Sequence, residues 1–186
     1  MGTFLDLLSP RLKREEPVRL ASGQSASVAV IFRETLGEEE VLLITRAKRE
    51  GDPWSGHVAF PGGMVDTADR SFEETARRET WEEVRVDISE NGAVFIGYME
   101  KINAHLRDVT VVPCVFKLTA RSMVSLSLEV ASYEWVTMES LARKEARSTY
   151  VILKDKKEIH FPSLLHGELM IWGITERIIS EIIGEN

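Results

Sequence analysis

Ser71-Phe72-Glu73-Glu74-Thr75-Ala76-Arg77-Arg78-Glu79-Thr80-Trp81-Glu82-Glu83-Val84 is the stretch on which the fold class turns. Ser71 and Glu74 have capping-box spacing, in which the serine oxygen accepts from an orphan amide and the glutamate reaches back to the cap. The pattern predicts a helix from about Ser71 to Val84. At roughly 100° per residue, with Phe72 as zero, Ala76 falls near about +40°, Glu79 near about −20°, Glu83 near about +20° and Glu82 about 80° away. Two carboxylates therefore share the stripe of Phe72 and Ala76. If that stripe faces the core, Glu79 and Glu83 point inward, where they repel each other and are costly to desolvate unless a cation compensates. Trp81, at about 180°, supports the alternative in which the indole marks the buried face and the glutamates lie in solvent. A carboxylate cluster suits hard cations such as Mg2+ or Mn2+ better than zinc. The helix alone names no reaction.

The rest of the chain sets bounds. At 186 residues, 44% of them hydrophobic, it is sized for one compact domain, 1–186. The sequence has no internal repeat, low-complexity tract or Pro/Gly/Ser-rich linker. No run approaches the roughly 18 apolar residues of a membrane span, so no membrane association is expected. Cys114 is the sole cysteine, which excludes an intramolecular disulfide and a cysteine-rich zinc site; a reducing, cytoplasmic compartment fits. A net charge of −7 without a clustered Lys/Arg surface argues against broad nucleic-acid binding. One small phosphorylated ligand remains compatible where a metal or a few bases cancel the repulsion.

Helical spacing is read over Thr3–Leu12, Met138–Lys144 and Glu168–Ile183. Strands are read over Ser27–Phe32, Val41–Thr45, Ala93–Tyr98, Val109–Phe116, Tyr133–Val136, Thr149–Leu153 and Glu158–Phe161. The first two strands are joined by a turn around Gly37 and expected to pair. Pro113 lacks an amide donor, which predicts a sheet edge or a bulge for its strand. A loop containing Gly51, Asp52, Pro53 and Gly56 leads to Phe60-Pro61-Gly62-Gly63, backbone suited to close approach. Strands mixed with helices imply an α/β arrangement.

Residues Gly63–Val86 resemble the Nudix box, G-x5-E-x7-R-E-U-x-E-E-x-G-U with U aliphatic. Arg78-Glu79-Thr80-Trp81-Glu82-Glu83 matches its R-E-U-x-E-E core with Thr80 in the aliphatic place, and Arg85 stands where the box has a glycine leaving the helix in a left-handed conformation. The interval from Gly63 to Arg78 is one residue longer than in the general box, and Asp69 replaces its glutamate. Both features resemble the coenzyme A pyrophosphatase-like subgroup, written G-x-V-x-F-P-G-G-x-x-D-x-x-D, which Gly56-His57-Val58-Ala59-Phe60-Pro61-Gly62-Gly63 with Asp66 and Asp69 follows. Leu43-Ile44-Thr45-Arg46-Ala47 is similar to the subgroup's L-L-T-x-R-[SA], with a spacing to Gly56 one residue longer and no second arginine. Ile171-Trp172-Gly173-Ile174-Thr175 resembles its I-W-G-x-T, although Trp172, Thr175, Ile179 and Ile182 also follow ordinary helical core spacing.

The resemblance implies a Nudix-type α/β/α sandwich with a mixed sheet. It also implies Mg2+- or Mn2+-dependent hydrolysis of a diphosphate bond in a nucleoside diphosphate linked to another group. A coenzyme A-like substrate comes first, ADP-ribose or a dinucleotide next, and a non-catalytic nucleotide sensor is the third reading. Glu79, Glu82 and Glu83 would bind metal beside a Gly63 carbonyl, and Asp69 would hold Arg78. Glu79 or Glu83 is expected as general base, with Glu129 and Glu100 as outside candidates. Arg46, His57 and Phe60 are the substrate-binding candidates, and Trp54 would either stack a base or cover the core. A Nudix-fold isomerase would use a catalytic cysteine, a role for which Cys114, in an expected strand, is poorly suited. A homodimer is left open.

Overall fold

The computed structural model describes residues 2–18, 24–51, 54–104 and 108–185. Asp52 and Pro53 lie outside them. The helix α1 (Phe4–Leu8) continues as a 3-10 turn over Ser9–Arg11. There follow strands β1 (Ser25–Thr35), β2 (Glu38–Arg46), β3 (Val58–Ala59) and β4 (Gly62–Met64), helix α2 (Phe72–Val84), and strands β5 (Ala93–Tyr98), β6 (Ile102–Ala104), β7 (Val109–Leu118) and β8 (Val130–Thr137). Helix α3 (Met138–Ala142), strands β9 (Arg147–Lys154), β10 (Lys157–His166) and β11 (Leu169–Trp172), and helix α4 (Gly173–Ile183) complete the chain.

The main sheet runs β3-β2-β1-β7-β5, with β4 also on β1, β6 on β7 and β8 on β2. β1 and β7 pair in parallel and their neighbours antiparallel, so the sheet is mixed. Both faces of its centre are covered, which explains why Ala26–Phe32 reads as a nearly continuous apolar run. Alternation assigns the residues to layers: Val30, Phe32, Val41 and Leu43 join Leu5, Leu8, Ile178, Ile179 and Ile182 in one core. Ala29, Ile31, Leu42 and Ile44 join Phe72, Ala76 and Val84 of α2 in the other. The α/β/α sandwich is thus realised, with α2 alone against one face and α1 and α4 on the other.

Three expectations are corrected. β7 is interior, between β1 and β5/β6, and the irregularity in its ladder lies opposite Val115 and Phe116, where β5 passes over Ile96, so Pro113 itself is neither at an edge nor at the bulge. Its carbonyl accepts from Met99 N at 2.9 Å. A strand residue's N and O point to the same side, so the missing donor faces the connection between β5 and β6, where no ladder partner requires it. The closing helix starts late, because Leu169–Trp172 forms a hairpin with Ser163–His166 and the chain becomes helical only at Gly173. Gly173 has φ +70, a conformation that lets strand pass directly into helix. β9 and β10 are also longer than read, joined by Asp155 and Lys156, both at positive φ as a two-residue hairpin requires.

The start of α2 forms largely as read: Ser71 Oγ accepts from Glu74 N at 3.0 Å. The Glu74 carboxylate, however, reaches Arg70 N at 2.7 Å, one residue beyond the expected cap amide. Arg85 ends the helix in the left-handed region, φ 56 and ψ 19, with its guanidinium 5.4 Å from the centre of the Trp81 ring. A side chain there is strained by about 1–2 kcal/mol. Arg85→Gly is expected to raise unfolding free energy by about 0.5 kcal/mol or more, part of the relieved strain being offset by chain entropy and the lost ring contact. Urea denaturation of the two proteins checks this, and equal or lower stability of the variant would refute it.

Candidate active site

Arg78 organises the loop before α2. Its Nε and Nη2 donate to Asp69 Oδ1 and Oδ2 at 3.1 and 2.8 Å, and Nη2 also reaches the Met64 carbonyl at 3.1 Å. Asp69, itself buried, further accepts from Thr75 Oγ1 at 2.8 Å and Asp66 N at 2.9 Å. The Arg78 guanidinium above all, then these donors, hold the Asp69 carboxyl down at about 2. Arg78 Nη1 then donates to Glu79 Oε1 at 2.7 Å, turning that carboxylate toward β4.

The buried face of α2 is the one bearing Phe72, Ala76 and Glu83, while Trp81 is 50% exposed. The inward reading of Glu79 and Glu83 therefore holds. Glu83 is 3% exposed and accepts from Gly62 N at 3.0 Å, and burial pushes its carboxyl up to about 7. Glu79 is also raised, by burial first and then by the charges of Glu82 and Asp69, and Glu79 in turn helps to raise Glu83. Only backbone fits against them. A Cβ on Gly63 would lie 2.5 Å from the Glu79 carboxylate carbon; one on Gly62 would strike the Ser27 carbonyl and come within 2.6 Å of Val28 Cα.

Glu82 differs: its side chain is 55% exposed, with only a 3.4 Å contact to Arg78 Nη1. Among the described residues no three Asp, Glu, His or Cys side chains already stand in a metal-holding arrangement. The donor chemistry nevertheless fits a hard cation. Two desolvated carboxylates one helical turn apart face a glycine backbone, and the nearest bases, Arg78 and Arg46 (Nη1 3.8 Å from Glu83 Oε1), serve one each. A swing of the exposed Glu82 would supply a third oxygen ligand.

Residues 23–155 match the NUDIX domain family model. The chain belongs to the Nudix family. Over 116 residues it is 37% identical to an uncharacterized Schizosaccharomyces pombe protein, the match covering 53% of this chain and 34% of that one. It is 29% identical over 138 residues to the peroxisomal coenzyme A diphosphatase ndx-8 of Caenorhabditis elegans, covering 73% and 58%. It is 30% identical over 161 residues to the mitochondrial coenzyme A diphosphatase NUDT8 of Homo sapiens, covering 81% and 64%. The chain thus spans less than two thirds of the length of each of these relatives. A MutT/nudix family protein from Enterococcus faecalis shares the fold, with a TM-score of 0.57 and 21% identity, covering 98% of this chain and 68% of that one. Two of these relatives are named for organelles, so the cytoplasmic expectation is not carried further. No helix among the described residues is long and apolar enough to cross a membrane.

Within this Nudix frame the other candidates separate. Arg46, at the end of β2, lies beside Glu83, and its amide donates to the His57 carbonyl at 3.0 Å. His57 is half-buried with its ring against Trp172, and Trp54 accepts from His57 N. Phe60, 2% exposed, packs in the core on the opposite face of the sheet from α2 and is not brought to the carboxylates. Glu129 stands near enough to raise Glu83 but pairs with Arg49 at 3.0 Å. Glu100 is exposed and paired with Lys13. Cys114 is buried against Ser27, its thiol pushed up to about 12. Sequence reading missed the segment Ser125–Ser127, whose amides donate to the Val84 and Glu83 carbonyls at 2.9 Å and close the C-terminal end of α2. No local pattern marks that role.

Two predictions follow from this packing. Asp69 has a depressed folded value, so its stabilisation is present above about pH 4 and lost as pH falls toward about 2, amounting to about 2 kcal/mol. Asp69→Asn should be less stable near neutrality and show a shallower decline between pH 4 and 2 by urea denaturation; parallel pH curves would count against the assignment. Gly63→Ala should change stability by about 1 kcal/mol or less, because the Glu79 side chain can yield. Gly62→Ala, meeting strand backbone, should cost about 3 kcal/mol or more. Equal losses in the two variants would contradict the geometry.

Proposed function

We propose that this Nudix chain is a divalent-cation-dependent pyrophosphohydrolase that splits the diphosphate of a nucleoside diphosphate linked to another group. A coenzyme A-like molecule is the first candidate substrate. The observation that carries the reading is the desolvated pair Glu79 and Glu83 facing the side-chain-free backbone of Gly62 and Gly63. The substrate assignment is supported by the pattern from Gly56 to Asp69 and by the two relatives named coenzyme A diphosphatases.

Glu79, Glu82 and Glu83, with the Gly63 carbonyl, would hold Mg2+ or Mn2+. When bound, such a cation acidifies its water and clamps phosphate oxygens, neutralising charge that builds on the leaving phosphate. The protein supplies the rest. Arg78, fixed by Asp69, orients Glu79 and is a positioning residue. Gly62 N–H fixes one Glu83 oxygen and leaves the other toward Arg46. Glu79 or Glu83 accepts the proton of the attacking water, and Arg46 meets a substrate phosphate once the anion competes for its guanidinium.

Turnover of coenzyme A to 4′-phosphopantetheine should vanish in chelator and return with Mg2+ or Mn2+. Glu79→Gln and Glu83→Gln should each lower kcat by about a hundredfold or more while the fold persists by circular dichroism. Metal-independent turnover, or full activity in both variants, would overturn the proposal. Cleavage of ADP-ribose or a dinucleotide in place of coenzyme A would keep the chemistry and move the substrate.

A further inference from the structure

Tyr150, Phe161 and Trp172 are far apart in sequence but share one face of the small sheet. Tyr150 is opposite Phe161, and Ser163 is opposite both Ser148 and Trp172, so alternation puts all three rings on one side. The intervening Leu164 and Ile171 are fully buried in the core, so the aromatic side points away from it. Ser148 and Ser163, sharing a row with Trp172, leave the indole room to lie over. It stacks on Tyr150 with centroids 4.2 Å apart and planes 22° apart, and Phe161 lies tilted at 5.6 Å. A fourth ring comes from the segment before β3, His57 meeting Trp172 edge-on at 4.8 Å. All four residues are half-buried, so this wall is not sealed inside the core.

The wall is tied to the carboxylates by a short covalent and hydrogen-bonded path. The His57 carbonyl accepts from Arg46 N at 3.0 Å, and the Arg46 guanidinium reaches to 3.8 Å from Glu83. A ligand whose diphosphate lay at Arg46 and Glu83 would have the aromatic side chains carried by the segment before β3 and by the small sheet as its neighbours on the β3 side. Phosphate chemistry does not use such a surface, whereas a heteroaromatic base does, by stacking. We propose that Tyr150, Phe161, Trp172 and His57 form the nucleobase subsite, so that the nucleoside half of the substrate lies toward β9–β11 and the other group leaves on the far side. This rests on the diphosphate reading of the site and orients its substrate.

The test is calorimetric binding of ADP and of inorganic pyrophosphate, each with Mn2+, to the full chain and to Trp172→Ala, Trp172→Phe and Tyr150→Ala. The ADP dissociation constant is expected to rise about tenfold in Trp172→Ala, equivalent to about 1.4 kcal/mol, and less in Trp172→Phe, with pyrophosphate unchanged. In turnover, KM should respond more than kcat. If Trp172→Ala fails to fold, Tyr150→Ala and Trp172→Phe carry the comparison. Unchanged ADP binding, no ADP binding by the wild type, or equal weakening of ADP and pyrophosphate would overturn the subsite. Ring-dependent ADP binding without cleavage of any diphosphate would refute the hydrolase reading alone and leave the subsite standing.

Discussion

Backbone pressed against carboxylate is the constraint on which this structure depends. β4 crosses α2 at Gly62 and Gly63, where a side chain on either residue would collide with Glu79 or with β1. That closeness removes water from Glu79 and Glu83 and brings an amide donor to Glu83. Burying two like charges is unfavourable for a fold that seeks only stability, because each desolvated carboxylate costs several kcal/mol without a compensating cation. The arrangement makes physical sense where a cation or an anion–cation pair is the resident for which the space is kept.

The surroundings fix the helix and loop that carry the pair. Asp69 and Arg78 form a two-pronged bridge beside the carboxylates, and Asp69 is itself locked by Thr75 and the Asp66 amide. Phe72 and Ala76 root the same helix in the sheet, so the backbone carrying Glu79 and Glu83 keeps that face inward. At the other end the strained Arg85 and the donors from Ser125 and Ser127 stop the helix after Val84, one residue beyond Glu83. Glu83, whose carboxyl burial pushes up, thus sits in the last turn, held by the Gly62 amide on one side and the helix end on the other.

Much of this was legible in the sequence because it is local. The capping serine and the helical stripe follow from spacing within α2, which offered the Glu79/Glu83 side and the Trp81 side as alternative buried faces, and the turn around Gly37 pointed to the pairing of β1 and β2. What was illegible depends on contacts at long sequence separation. Leu169–Trp172 carries a helical pattern and became a strand because β10 offered it a hydrogen-bonding edge. Pro113 reads as an edge residue and lies inside because β5 and β6 change over opposite it. Phe60 belongs to a motif that resembles a binding loop, yet strand alternation turns it into the far core. Trp172 moved the other way, from expected core to a half-buried aromatic face.

These displacements share one cause. The hairpin β10–β11 adds a second, three-stranded sheet whose inner residues, Leu164 and Ile171, are claimed by the core of the first. Once those side chains are committed, pleating leaves no choice for their neighbours, and the rings of Trp172, Phe161 and Tyr150 must face outward toward His57. His57 is in turn bonded through its main chain to Arg46. The spacing between the aromatic face and the acidic helix is therefore set by β2–β3 pairing and by sheet packing, elements much stiffer than side-chain torsions. On the proposed reading, a site assembled in this way would read the length of a ligand as well as its charge, since the two ends could not adjust independently.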